Sequence, residues 1–257
     1  MRINRGNNNT ARGNRKTIYC EGKETSDDNL FYRTLLGANI RNFQLEPMGS
    51  SNTLLCFAKE AHLISSNDFC LIDRDFRSDD EVSELERKYK IKFLPVHEIE
   101  SLLLNPSYLS RLSYFRKGVN IESEIQKIIE DKKIRFLADF LQFRINTHLD
   151  VFPRISKLED NELGEEEKLI DLLLSKLDYN YQEVQEKINE IKDDYISHWK
   201  VEFETLERNS LPAKEIFKAL KNRIFNNPPK ESDIVKDIAT LMEADGFMPP
   251  ELIEFFK

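Results

Sequence analysis

Residues 17–36 read TIYCEGKETSDDNLFYRTLL. The short apolar run Thr17–Cys20 passes directly into Glu21-Gly22, and the pattern then changes. Thr25, Ser26 and Asp27 are side chains that cap helix N-termini. Leu30, Phe31, Leu35 and Leu36 recur at helical spacing until Gly37 ends the run. Strand, loop and helix follow one another within twenty residues. In an open α/β sheet, ligands bind in the crevice at the carboxyl ends of the strands, so Glu21 is expected at the mouth of a site.

Working outward, a second strand is expected over Phe43–Glu46, closed by Pro47 and Gly49. Ser50-Ser51-Asn52 then caps a helix carrying Leu54, Leu55, Phe57 and Ala58. The stretch DFCLIDRDFRSDD holds a third strand, Phe69–Ile72, a continuous apolar run of the kind buried on both faces, which ends in Asp73-Arg74-Asp75. A helix over Asp80–Tyr89 and a strand over Ile91–Val96 come next. His97-Glu98-Ile99-Glu100 opens a helix with Leu102, Leu103 and Leu104, up to Pro106. This alternation predicts an α/β fold, a mainly parallel sheet flanked by helices.

From Asn105 onward apolar residues keep helical spacing, in 121–149, 165–177, 181–206, 211–224 and 232–242, and no further strand is expected. The predicted organisation is a flexible basic tail over 1–16, an α/β catalytic domain over 17–106, and a helical domain over 107–257 for dimerisation or for partner and substrate contacts.

The chain has 257 residues, 40% of them apolar, enough for a substantial core. Its three cysteines, Cys20, Cys56 and Cys70, lack metal-ligand spacing, and a reduced, cytoplasmic setting is expected. No apolar run reaches the roughly 20 residues that span a bilayer, and no secretory leader is read at the N-terminus. The net charge of −8 argues against coating nucleic acid through bulk electrostatics. Residues 1–16 nevertheless carry five basic side chains and no acid, leaving −13 on the rest. That tail either touches a polyanion or is a solvated leader.

Three expected strand ends carry carboxylates: Glu21, then Asp73 and Asp75, then Glu98 and Glu100. Parallel strands present these ends along one edge, so residues far apart in sequence converge. Crowded carboxylates cannot all stay ionised unless a cation joins them. Oxygen-only donors suit Mg²⁺ or Mn²⁺, and such a site can orient a water and neutralise charge developing on a phosphodiester. Each motif alone has an ordinary explanation, because acids are common where a chain leaves a strand. Their order and shared placement argue for a site. Lys23 either contacts a phosphate or is solvated, and Arg74 and Arg77 either hold a scissile phosphate or balance the acids.

A strand ending in Glu-Gly (TIYCEG), a helix, and a strand ending in Asp-x-Asp (FCLIDRD) resemble the Toprim domain of topoisomerases, primases and OLD-family nucleases. FLPVHEIESLLLNP resembles the Glu-Ile-Glu segment of the OLD-like stand-alone Toprim proteins. Trp199 and LPAKEIFKAL (211–220) resemble their helical half, although Ala213 stands where that family usually has Gly before the lysine, here Lys214. The resemblance implies a metal-dependent nuclease with Mg²⁺ or Mn²⁺. It makes Glu21 the general acid/base or a ligand, Asp73 and Asp75 ligands, Glu98 or Glu100 a further ligand or a residue that orients one, and Lys214 a substrate contact. It also implies an anti-phage effector restrained by an ABC-type ATPase partner and active as a homodimer on nucleic acid, tRNA ahead of DNA. A second reading stays open, a Toprim-like binding or sensor module without catalysis. A phosphatase using Asp73-x-Asp75 ranks behind both, since its Asp-x-Asp would normally follow the first strand.

Overall fold

The computed structural model describes residues 15–60, 64–149, 155–177 and 182–256. The basic tail therefore lies outside the described residues up to position 14, and Lys16 already belongs to a strand. In chain order the elements are β1 (Lys16–Cys20), α1 (Asp27–Leu36), β2 (Phe43–Pro47), α2 (Ser51–Lys59), β3 (Phe69–Ile72), α3 (Asp79–Lys88), β4 (Ile91–Phe93), α4 (Glu100–Leu103) and α5 (Pro106–Leu109). Then follow α6 (Ile121–Asp131), α7 (Lys133–Leu149), α8 (Leu169–Ser175), α9 (Gln182–Asp194), α10 (Lys200–Glu204), α11 (Ala213–Ile224) and α12 (Glu231–Ala244). A π-helical turn, Tyr195–Trp199, joins α9 to α10. No described helix is long and apolar enough to cross a membrane.

The four strands form one parallel sheet in the order β2-β1-β3-β4. The α/β alternation is thus as the sequence predicts. Cys70 and Ile72 of β3 pack with Ile91 and Phe93 of β4 and with Leu54 and Ala58 of α2, and Val82 and Leu85 of α3 close the cluster. Ile18, Cys20 and Leu71, which alternate with these along their strands, are also buried. Both faces of the sheet are covered, and that is why the strands read as unbroken apolar runs. Local signals set the helix starts: Ser26 accepts from the Asn29 N–H, and Ser78 and Glu81 form a reciprocal capping box.

β4 ends at Phe93 rather than at the expected Val96, and two further boundaries differ from expectation. The last segment before Pro106 begins its α-helix at Glu100, not His97, because the His97 carbonyl accepts the Asp75 N–H across the sheet edge (2.9 Å) and is lost to the helix. The second concerns domains. Of the described residues, those up to 115 together with those from 226 onward form one compact unit, and those within 116–225 form the other. The expected single helical domain over 107–257 is corrected accordingly. In the sheet unit α12 packs along α1, Phe256 meets Tyr32 and Phe43 (ring centroids 5.5 and 5.4 Å), and the Phe255 carbonyl accepts from Lys16 Nζ (3.1 Å). Helical periodicity showed an amphipathic segment but not which apolar surface would receive it.

Within the second unit, α6 packs on α11, and Phe140 of α7 meets Phe203 of α10 (5.6 Å). Arg135, buried, pairs with Asp139 on the same helix at 3.3 Å.

Ile238 of α12 is fully buried. Ile238→Ala is expected to lower the stability of the sheet unit by about 2–4 kcal/mol, read from denaturant midpoints. An unchanged midpoint would contradict the place given to α12.

Candidate functional site

The strand order reverses between β1 and β3: the chain steps from β1 outward to β2, then returns to the other side for β3 and β4. At such a switch point the connections diverge and leave a crevice beyond the carboxyl ends of the two central strands. Glu21 directly follows β1 and Asp73 directly follows β3. Glu21 Oε1 accepts the Asp73 N–H across the crevice at 3.1 Å, so the two arms are tied where they meet.

The loop after Glu21 is pinned by a pair of backbone hydrogen bonds between Gly22 and Gly49 (2.7 and 2.9 Å), which bring the end of β2 alongside. Gly22 has φ +84°, and a Cβ there would stand 2.4 Å from Ser26 Oγ. Only glycine fits both the dihedral and the space.

Beyond β3, Asp75 has φ +50°, a left-handed conformation uncommon outside glycine and tolerated by Asp. Its N–H bonds to the His97 carbonyl, and its Oδ2 pairs with Arg77 at 2.8 Å. The Arg77 guanidinium also donates to the Asp73 and Arg74 carbonyls (3.3 and 3.1 Å) and lies over the Phe93 ring (5.2 Å). Arg77 is therefore a brace for the acidic loop. Arg74 donates through Nε to the Arg77 carbonyl (3.0 Å) and pairs with Asp79 at the start of α3. His97 is buried with its ring against Phe76 (4.6 Å).

The electrostatics follow from this crowding. Burial, with Asp75 nearby, pushes the Glu21 carboxyl up to about 7, although the Asp73 N–H favours the ionised form. Asp73 is raised well above the usual carboxylate range by burial and then by Glu21, Asp28, Glu98 and Asp75. Glu98, half-buried, is thus close enough to act on Asp73. Glu100 is buried.

Two residues not singled out from sequence join the site. Asp28 acts on both Glu21 and Asp73, and its Oδ2 would stand 3.6 Å from a Cβ at Gly22. Tyr32, one turn on and buried, has its hydroxyl pKa raised by burial and by Asp73 and Asp28. An acid in the first turn of a helix is adequately explained by the helix dipole, which concealed Asp28. The available signal was the Ser26 cap, which turns α1 back over the loop.

Lys23 is exposed on the loop after Glu21. Lys214 is exposed near the start of α11, in the other unit. Among the described residues, no three His, Cys, Asp or Glu side chains stand together in a way that could already hold a metal ion. The donor chemistry fits a hard cation nonetheless: the convergent side chains offer only carboxylate oxygen, and their mutual repulsion is what a cation relieves. Comparison with family models, curated proteins and solved structures gives no match to the chain.

A carboxyl whose folded-state pKa is raised binds more protons in the native state, so stability falls as pH rises between the ordinary value of 4.5 and about 7. Removing the ionisable group removes this penalty. Glu21→Gln is expected to be more stable than the parent by about 1–3 kcal/mol above pH 7, the margin closing toward pH 4.5. Thermal melts across that range check it, and a pH-independent difference would contradict the assigned environment. Gly22→Ala is expected to destabilise the protein by more than about 1 kcal/mol in the same melts, because the left-handed turn and the Ser26 contact both oppose a Cβ.

Proposed function

We propose that the chain is a metal-dependent Toprim-like endonuclease that hydrolyses phosphodiesters. The observation that carries the reading is the convergence of Glu21, Asp73 and Asp75 at the β1/β3 switch point, with Glu21 poised near neutrality. A purely structural edge has no reason to gather acids that destabilise one another. Glu21, Asp73 and Asp75 would hold Mg²⁺ or Mn²⁺, with Asp28 and Glu98 beside them, and the bound ion would supply charge neutralisation at the phosphate and an activated water.

The residues of this chain have separable tasks. Glu21, titrating near neutral pH, is suited to accept and return a proton. Asp73 is fixed by its N–H bond to Glu21, and Asp75 by Arg77 and by the His97 carbonyl. Arg77, already engaged with Asp75 and two carbonyls, sets the loop geometry, and the exposed Lys23 on the loop after Glu21 is proposed to meet a substrate phosphate.

Nucleic acid is the proposed substrate, tRNA ahead of DNA, on the motif resemblance to AriB, the Toprim effector of the PARIS anti-phage system. That resemblance also supports cytoplasmic action, restraint by an ABC-type ATPase partner and activity as a homodimer. The competing reading is a Toprim-like sensor module with no catalysis.

The test is cleavage of labelled total tRNA and of plasmid DNA by the purified chain with Mg²⁺, Mn²⁺ or EDTA, alone and with the partner ATPase and its trigger. Metal-dependent cutting by the parent, abolished in Glu21→Gln, is expected. Retained activity in Glu21→Gln would remove Glu21 from the chemistry. Phage protection that survives Glu21→Gln without any cutting would establish the sensor module instead.

A further inference from the structure

At the opposite end of β1 and β3 from Glu21 and Asp73, the sheet unit holds a cleft of about 350 Å³. It is lined by the starts of β1, β3 and β4, by the end of α3 and by the C-terminal segment. None of the acids of the candidate catalytic edge lines it.

Basic and acidic side chains line the cleft in equal number, and what separates them is bonding capacity. Asp68 has both oxygens engaged, accepting from the Thr17 N–H (2.7 Å) and Ser65 Oγ (2.8 Å). Glu86 is similarly occupied, by Lys92 Nζ (3.1 Å) and the Phe93 N–H (2.9 Å). Lys16 Nζ donates to one uncharged acceptor, the Phe255 carbonyl (3.1 Å). Lys90 Nζ donates to two, the carbonyls of Ile64 (3.0 Å) and Ser65 (2.6 Å). An ammonium has three N–H donors, so both lysines keep capacity for an anionic oxygen and are held in place by their backbone bonds.

The lining also includes aromatic residues. Phe69 and Tyr89 are half-buried and carry the accessible aromatic surface, with Phe255 buried beside Phe69 (ring centroids 6.1 Å apart) and Lys16 Nζ 4.9 Å from the Phe69 ring centre. Glu254 is the one lining acid with no hydrogen bond or ion pair among the described residues. Two ammonium groups, flat apolar surface and one carboxylate acceptor match the three parts of a ribonucleotide: its phosphate, its base and its ribose hydroxyls. The volume stands at the small end of ligand pockets, sized for one nucleotide.

We infer that this cleft is a mononucleotide-binding site, separate from the acidic edge, with Lys16 and Lys90 on the phosphate and the half-buried Phe69 and Tyr89 on the base. The inference does not depend on nuclease activity. Because the occupant touches the first residues of strands whose last residues precede Glu21 and Asp73, it is placed to influence that edge through β1 and β3.

Calorimetric titration of the full chain with AMP, adenosine and inorganic phosphate tests the site, alongside photolabelling with 8-azido-AMP. Saturable AMP binding is expected, with adenosine and phosphate each weaker by about tenfold or more. The Lys16→Ala/Lys90→Ala double variant should lose at least about tenfold in affinity, whereas Glu21→Gln should be unchanged. The label should fall within 64–69, 89–92 or 254–255. No saturable AMP binding overturns the inference, and so does a label confined to the acidic edge or binding lost in Glu21→Gln but kept in the lysine variant. If the lysine variant fails to fold by circular dichroism, the label position on the parent decides.

Discussion

The hydrogen bond from the Asp73 N–H to Glu21 Oε1 joins the ends of the two central strands, and the candidate site is built around it. It exists because β1 and β3 are parallel neighbours, with Cys20 opposite Leu71, so the next residues of both strands emerge on the same edge. That pairing depends in turn on both faces of the sheet being covered. Apolar side chains from β3, β4 and α2 fill one face, and Ile18, Cys20 and Leu71 are buried on the other. Without this burial the short strands would have little to hold them together, since β4 has three residues and β3 four.

The scaffold imposes a cost at the edge it creates. Glu21 and Asp73 are partly withdrawn from water beside Asp28, Asp75 and Glu98, and the folded state therefore binds protons that the unfolded chain would release at neutral pH. The surrounding loop is built to withstand the repulsion. Arg77 gathers the Asp75 carboxylate and two carbonyls, the Gly22–Gly49 bridge pins the other arm, and Asp75 is kept in a left-handed conformation by the His97 carbonyl. A site whose ionised form is unfavourable when empty has most to gain from a bound cation, which links the fold's local instability to the proposed chemistry.

The opposite edge shows a different arrangement of the same elements. Lys16 and Lys90 are held in place there by backbone carbonyls, and Asp68 by a backbone N–H and a hydroxyl, so these charges are fixed without crowding. One sheet thus presents an acidic edge at the strand ends and a mixed, aromatic cleft at the strand starts. The C-terminal segment, through Phe255 and Phe256, takes part in the second edge and in the packing of the sheet unit.

The alternation of apolar runs and amphipathic stretches was sufficient to order the strands and helices of residues 17–106, since burial on both faces leaves a continuous apolar signature. Glu21, Asp73 and Asp75 were legible for the same reason, each standing where an apolar run stops. Asp28 was not, because a first-turn acid has a local explanation and only the cap geometry brings it over Gly22. Nor could spacing divide Glu98 from Glu100 or reveal Arg77 as a brace, since those depend on where the segment after β4 turns. The return of α12 to α1 was equally hidden, because an amphipathic helix declares that it has a partner surface but carries no information about which one. The sequence by itself determined the periodicities and the residues at the strand ends. Their convergence, the raised carboxyl groups and the association of the C-terminal helix with the sheet were decided by tertiary structure, because distance and desolvation exist only once the strands are paired.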